Sequence, residues 1–122
     1  KFRKLSDYLS DRQVAMGDIY YDRIDMHYDK PDKNNLLPWA FESGLTHVGN
    51  FKINETSSFL SSRGIINGLK FIFERDCRWL LIRSSETEDI IRYYAEGQSM
   101  AEVKKLLSLG QDLLTEISNA KK

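Results

Sequence analysis

One cysteine, Cys77, stands in the 122-residue chain, so no intrachain disulfide can form and a reducing cytoplasm is the expected compartment. No histidine neighbours it, and Cys77 reads as a structural or surface thiol rather than a nucleophile. The only histidines, His27 and His47, form no His-Glu-x-x-His or paired-ligand pattern and read as partly exposed polar positions. An excess of one charge is also missing. Eighteen Lys and Arg balance eighteen Asp and Glu, giving net charge +0, so no basic stripe recruits nucleic acid and no global field draws the chain to a membrane. No apolar run approaches the roughly 20 residues of a membrane span, and no signal peptide is visible. The glycine-rich phosphate loops, the nucleophile elbow and the Cys-x-x-Cys pair are absent too. No catalytic residue and no metal ligand is assigned: Asp22, Asp25 and Asp29 read as a solvated strand face.

What is present fits one soluble globular domain, with 41% apolar and 30% charged residues. The chain starts at Lys1, which suggests a piece of a longer protein. Residues 1–17 read as helical or irregular, with Gly17 as punctuation. Residues 18–28 read as a strand, Tyr20, Asp22, Ile24 and Met26 on one face and Ile19, Tyr21, Arg23 and Asp25 on the other. A turn at residues 30–35 leads into a helix over about residues 35–43, ending near Gly44, with Pro38 in its first turn. Residues 47–53 form a second strand, and the Ser-rich residues 54–63 read as a loop.

The clearest local signal comes next. Residues 69–73 and 78–82 are apolar runs around a short charged stretch, which is a β-hairpin. Residues 86–97 are ambiguous between helix and strand. Ser99 and Glu102 then form a capping box, and Val103, Leu106, Leu107, Leu113, Leu114 and Ile117 recur at helical spacing, with Gly110 the weak point. Lys121 and Lys122 close this helix at its negative end. The order of elements predicts an α+β domain, with helices on one face of a mainly antiparallel sheet.

One segment has the chemistry of an anion site. Arg83 ends an apolar strand and offers a planar fork of donors. Ser84, Ser85 and Thr87 add hydroxyls in the same turn, where consecutive backbone N–H groups can form an anion nest.

With that loop in place, residues 64–119 resemble the end of the α-D-phosphohexomutases, the phosphoglucomutase/phosphomannomutase family. Asn67-Gly68-Leu69-Lys70-Phe71-Ile72-Phe73 is similar to the family's D-G-[LIV]-[KR]-[VIF]-x-F, and Arg78-Trp79-Leu80-Leu81-Ile82-Arg83 to its W-x-L-[IV]-R strand. Arg83-Ser84-Ser85-Glu86-Thr87-Glu88-Asp89 stands where the family has R-P-S-G-T-E-P, and Ile90 to Glu96 where it has [LIV]-x-[LIV]-Y-x-E. The resemblance makes residues 89–96 a strand. It implies a four-stranded antiparallel sheet with two helices on one face, similar to the TATA-binding-protein fold. It further implies a C-terminal domain over residues 18–122, with residues 1–17 a linker or the end of a preceding domain.

By the same resemblance, Arg83, Ser84, Ser85, Glu86 and Thr87 form the substrate phosphate-binding loop. Arg83 gives charge-assisted bonds, and Ser85 and Thr87 give hydroxyl and backbone donors. Ser84 replaces a proline. Glu86 replaces a glycine, and a carboxylate about 4 Å from a phosphate charge would be repelled by roughly 4 kcal/mol per charge pair. Asp89 replaces the last proline and adds negative charge. The family moves phosphoryl groups between the 1- and 6-positions of hexoses. It uses a phosphoserine loop, a Mg²⁺ loop of D-G-D-G-D type and a sugar-selecting loop, none of them in this sequence. The implied ligand is glucose or mannose 1- or 6-phosphate and the implied partners are the preceding domains. Mg²⁺ is expected in the full-length enzyme, no cofactor in this piece, and no activity from the piece alone. The alternative is a degenerate, non-catalytic relative that serves as a binding or interaction module.

Overall fold

The computed structural model describes residues 20–74 and 78–120. The readings made for residues 1–19, for Cys77, and for Lys121 and Lys122 lie outside them. Eight elements follow in order: β1 (Tyr20–His27), α1 (Lys33–Glu42), β2 (His47–Val48), β3 (Phe51–Leu60), β4 (Ile66–Phe73), β5 (Trp79–Ser84), β6 (Ile90–Gly97) and α2 (Met100–Ala120). The class is α+β, as expected, but the antiparallel sheet has six strands in the order β1-β6-β5-β4-β3-β2, not four.

Two misreadings account for the upstream strands. The expected strand over residues 47–53 is split by a turn at Gly49 and Asn50, with Gly49 at φ +59. A side chain at Gly49 would lie 2.7 Å from the Leu109 side chain, so α2 passes directly over the turn. The Ser-rich stretch read as a loop is β3, paired with β4 from Ile53↔Phe73 to Leu60↔Ile66 through two irregularities. Beyond the two-residue β2 this strand is a sheet edge, where polar side chains face water and discourage further pairing. The ladder with the apolar β4 holds it, and its own composition does not reveal that.

Both helices pack on one face. Alternate residues of the central strands point to it: Leu69, Phe71 and Phe73 from β4, Leu80 and Ile82 from β5, Ile91, Tyr93 and Ala95 from β6. α1 contributes Leu36, Leu37 and Ala40, and α2 contributes Val103, Leu106, Leu107, Leu113 and Leu114. The register of β1 confirms its two expected faces, with Tyr20 and Ile24 against the core. α1 begins two residues earlier than expected, so Pro38 sits inside the helix rather than in its first turn. Its N-cap residue, Asp32, gives no side-chain cap. The carboxylate instead accepts from Tyr28 Oη at 2.6 Å and Ser118 Oγ at 2.6 Å, tying the ends of β1 and α2 to the start of α1. No helix among the described residues is long and apolar enough to cross a membrane.

The capping box at α2 forms with one change. Glu102 N–H donates to Ser99 Oγ at 3.1 Å, but Glu102 Oε1 accepts from Gln98 N–H at 2.8 Å rather than from Ser99. Its other oxygen takes Arg78 Nε at 2.7 Å, and both side chains are largely buried. This pair welds the helix start to the entry of β5.

Gly110 is the contact point between α2 and the sheet. A methyl group there would sit 3.1 Å from Tyr93 Cδ2 and 3.2 Å from Leu80 Cδ2, both belonging to buried residues. Gly110→Ala is therefore expected to lower stability by about 1 kcal/mol, crowding outweighing the gain in helix propensity. A shift of the urea midpoint at unchanged slope measures it.

Two phenols make the fold sensitive to alkali. Burial, with help from Tyr94, pushes Tyr21 up to about 12, and burial raises Tyr93 as well. The folded state thus favours the neutral phenol. This stabilisation is complete below the unfolded value near about 10 and is lost as pH climbs toward about 12. Equilibrium unfolding from pH 8 to 12 (about that range) should show the decline, and Tyr93→Phe should make it shallower.

Candidate functional site

Period-two alternation places Arg83 and Ser84 on opposite faces of β5. Ser84 follows Ile82 toward the helices and is buried; Arg83 follows Leu81 to the helix-free face and is exposed. Antiparallel register then sets a row of neighbours on that face: Gly68↔Arg83, Arg83↔Arg92 and Arg92↔Asp25. Gly68 keeps the place beside Arg83 narrow and clear. A side chain there would stand 3.6 Å from Arg83 Cγ and 3.1 Å from Phe59 Cδ2.

The β5–β6 loop is held from inside. Ser85 Oγ accepts from the N–H groups of Thr87 at 3.3 Å and Glu88 at 3.1 Å, so two amides already converge on one oxygen. Ser85 N–H donates to Ile90 O at 3.1 Å and closes the loop. From the helix side, Lys33 Nζ donates to Ser85 O, and to Ser84 Oγ at 3.4 Å. The Ser84 hydroxyl is thus engaged by α1. Glu86 is exposed and its Oε2 accepts from Asn67 Nδ2 at 3.2 Å, which ties the carboxylate back to β4. Thr87 is exposed on the loop.

Arg83, Ser84, Ser85, Glu86, Asn67, Arg92 and Tyr94 line an open cleft of about 280 Å³. Arg83 has no ion-pair partner among the described residues. A larger cleft of about 310 Å³ lies at the other end of β4, with Lys52 and Arg78 in its wall. Both of those cations are already paired, Lys52 with Glu74 at 3.5 Å and Arg78 with Glu102 at 2.7 Å. The available guanidinium, with the Ser85 and Thr87 hydroxyls on the loop next to it, makes the smaller cleft the better place for an anion. Among the described residues no group of three or more His, Cys, Asp or Glu could hold a metal ion.

A family model described as phosphoglucomutase/phosphomannomutase, C-terminal domain, matches residues 38–108, more than half of the chain. The chain belongs to this family. The matched span runs from inside α1 to the middle of α2 and contains β2 to β6 with the whole β5–β6 loop. No curated protein matches the chain. The strand implied by resemblance over residues 89–96 is β6, where residue pattern alone was ambiguous.

Of the five loop residues expected from a phosphohexomutase C-terminal domain, the structure brings four to one cleft. Arg83, Ser84, Ser85 and Glu86 line it, the Ser84 hydroxyl also meeting Lys33, and Thr87 stands on the exposed loop. Lys33, Asn67, Arg92 and Tyr94 were not expected. Arg92 had a signal that could have been used: a hairpin centred between Thr87 and Glu88 places it opposite Arg83. Lys33 had none, because it reaches the loop from another element.

Ser85→Ala removes the oxygen on which two amides converge. Amide exchange at Thr87 and Glu88 should accelerate by about five-fold, at roughly 1 kcal/mol of local stability, while global stability changes little. Hydrogen-exchange NMR checks both parts.

Proposed function

We propose that this chain is the substrate-phosphate-binding domain of a phosphoglucomutase- or phosphomannomutase-type enzyme. It grips the phosphate of glucose or mannose 1- or 6-phosphate, while preceding domains of the parent chain carry out phosphoryl transfer with Mg²⁺. The observation that carries the reading is Arg83. Its guanidinium stands exposed at a strand end, has no ion-pair partner among the described residues, and faces the cleft beside the Ser85 loop. A guanidinium fork matches two phosphate oxygens, and the Ser85 and Thr87 hydroxyls lie within the same turn.

The contribution to the reaction is positional. Holding the phosphate that does not react fixes the sugar against the transferring group, and that lowers the barrier without any bond being made here. Closing such a domain over a cleft also keeps water from the reacting centre. Glu86, the substitution that most opposes an anion, is restrained by Asn67, which supports a cleft that still admits phosphate.

Titration of the ¹⁵N-labelled chain with glucose 1-phosphate, glucose 6-phosphate and mannose 1-phosphate should shift resonances of Arg83 to Glu88. Arg83→Ala should weaken binding by about ten-fold or more, the loss of a charge-assisted pair. An absence of shifts at the loop with every sugar phosphate would sink this reading in favour of a non-catalytic interaction module.

A further inference from the structure

The row of neighbours that contains Arg83 has a fifth member. Phe59 of β3 stands opposite Gly68, so the order across the sheet is Phe59, Gly68, Arg83, Arg92 and Asp25. Gly68 has no side chain, which makes Phe59 the next side chain to Arg83 on that side. The place a Gly68 side chain would take lies 3.1 Å from Phe59 Cδ2 and 3.6 Å from Arg83 Cγ. A phenyl ring and the stem of a guanidinium thus flank one gap floored by backbone. The residues before Phe59, from Glu55 to Ser58, are polar, yet the ring keeps 40% of its surface exposed. An aromatic ring opposite a strand glycine covers bare backbone, and that explains part of the placement. It does not explain why so much of the ring stays in water, next to a cation with no ion-pair partner among the described residues.

On this geometry, and resting on the phosphate-binding reading above, we propose that Phe59 is a specificity-determining residue: it receives the C–H face of a pyranose ring whose phosphate is held by Arg83. The face of a phenyl ring carries negative potential, and the axial C–H bonds of a pyranose present an apolar, weakly positive surface to it. Small-molecule sites join an apolar or aromatic wall to a few placed polar groups, and here the wall and the charge are neighbours in one row. Arg83 alone cannot tell a hexose phosphate from any other phosphate monoester. The ring contact can. An open-chain polyol phosphate offers the same phosphate and similar hydroxyls, but it has no rigid face and must lose more conformational freedom on binding. Phe59 therefore gives the domain a preference for cyclic sugar phosphates over acyclic ones.

Calorimetric and NMR titration of the chain with glucose 6-phosphate, glucitol 6-phosphate and methyl phosphate tests this. Glucose 6-phosphate should bind at least about three-fold more tightly than its open-chain counterpart, with its ring protons shifted upfield and close to the Phe59 ring protons by NOE. Phe59→Ala should weaken glucose 6-phosphate by about five-fold, cancel the preference over glucitol 6-phosphate and leave methyl phosphate unchanged. Phe59→Leu keeps apolar bulk at the site; it should recover part of the affinity and lose the upfield shift. Backbone spectra of each variant check that the sheet is intact. If Phe59→Ala weakens none of the ligands, or weakens methyl phosphate as much as glucose 6-phosphate, the ring serves the sheet alone; the role of Phe59 is then overturned and the phosphate loop survives. If none of the ligands binds, or Arg83→Ala changes nothing, both readings fall.

Discussion

The alternation of side chains along β5 is the constraint on which the rest depends. Leu80 and Ile82 point into the core and are fully buried, while Arg83, one residue on, is exposed at the mouth of the cleft. A slip of one residue would bury the guanidinium among leucines and put Ile82 in water, so the core itself enforces the register. The same register carries across to β4 and β6 and lines up Gly68, Arg83, Arg92 and Asp25 on the outer face. The cleft is thus a consequence of how tightly the opposite face is packed.

That packing is secured at several points beyond simple apolar burial. Asp32 gathers Tyr28 and Ser118, so the ends of β1, α1 and α2 share one carboxylate. At the far end of the sheet Glu102 caps α2 and pairs with Arg78 at the entry to β5. Gly49 and Gly110 let α2 lie close on the β2–β3 turn and on β5 and β6. A largely buried pair such as Arg78 and Glu102 is strongly felt when one partner is removed, because the other is left charged without compensation. These ties hold α2 against the sheet, and Lys33 links α1 to the loop that shapes the cleft.

The loop's departures from the family pattern become intelligible in this setting. Glu86, where phosphohexomutases carry glycine, is met by Asn67 at the start of β4. An amide there can donate to the carboxylate, whereas an ionised aspartate at position 67 has no donor and would repel it. Ser84, standing for a proline, exchanges ring rigidity for a hydroxyl that Lys33 can reach. The family pattern identified the loop but could not say where these side chains turn, since their partners lie 19 and 51 positions away.

Local sequence determined much of this protein. The hairpin of β4 and β5, the capped α2 with its buried Val103, Leu106 and Leu107, the two faces of β1 and the place of Arg83 at the end of β5 were all legible from periodicity and residue chemistry. Such features are set by residues a few positions apart, where period and propensity act directly. Tertiary structure alone decided the rest. It made a strand of the polar β3, split residues 47–53 at Gly49, set Lys33 beneath the loop and Asn67 beside Glu86, and gave Arg92 to the cleft. Each of these depends on a partner remote in sequence. A ladder hydrogen bond or a cross-strand neighbour supplies the stabilisation there, and no local pattern encodes it.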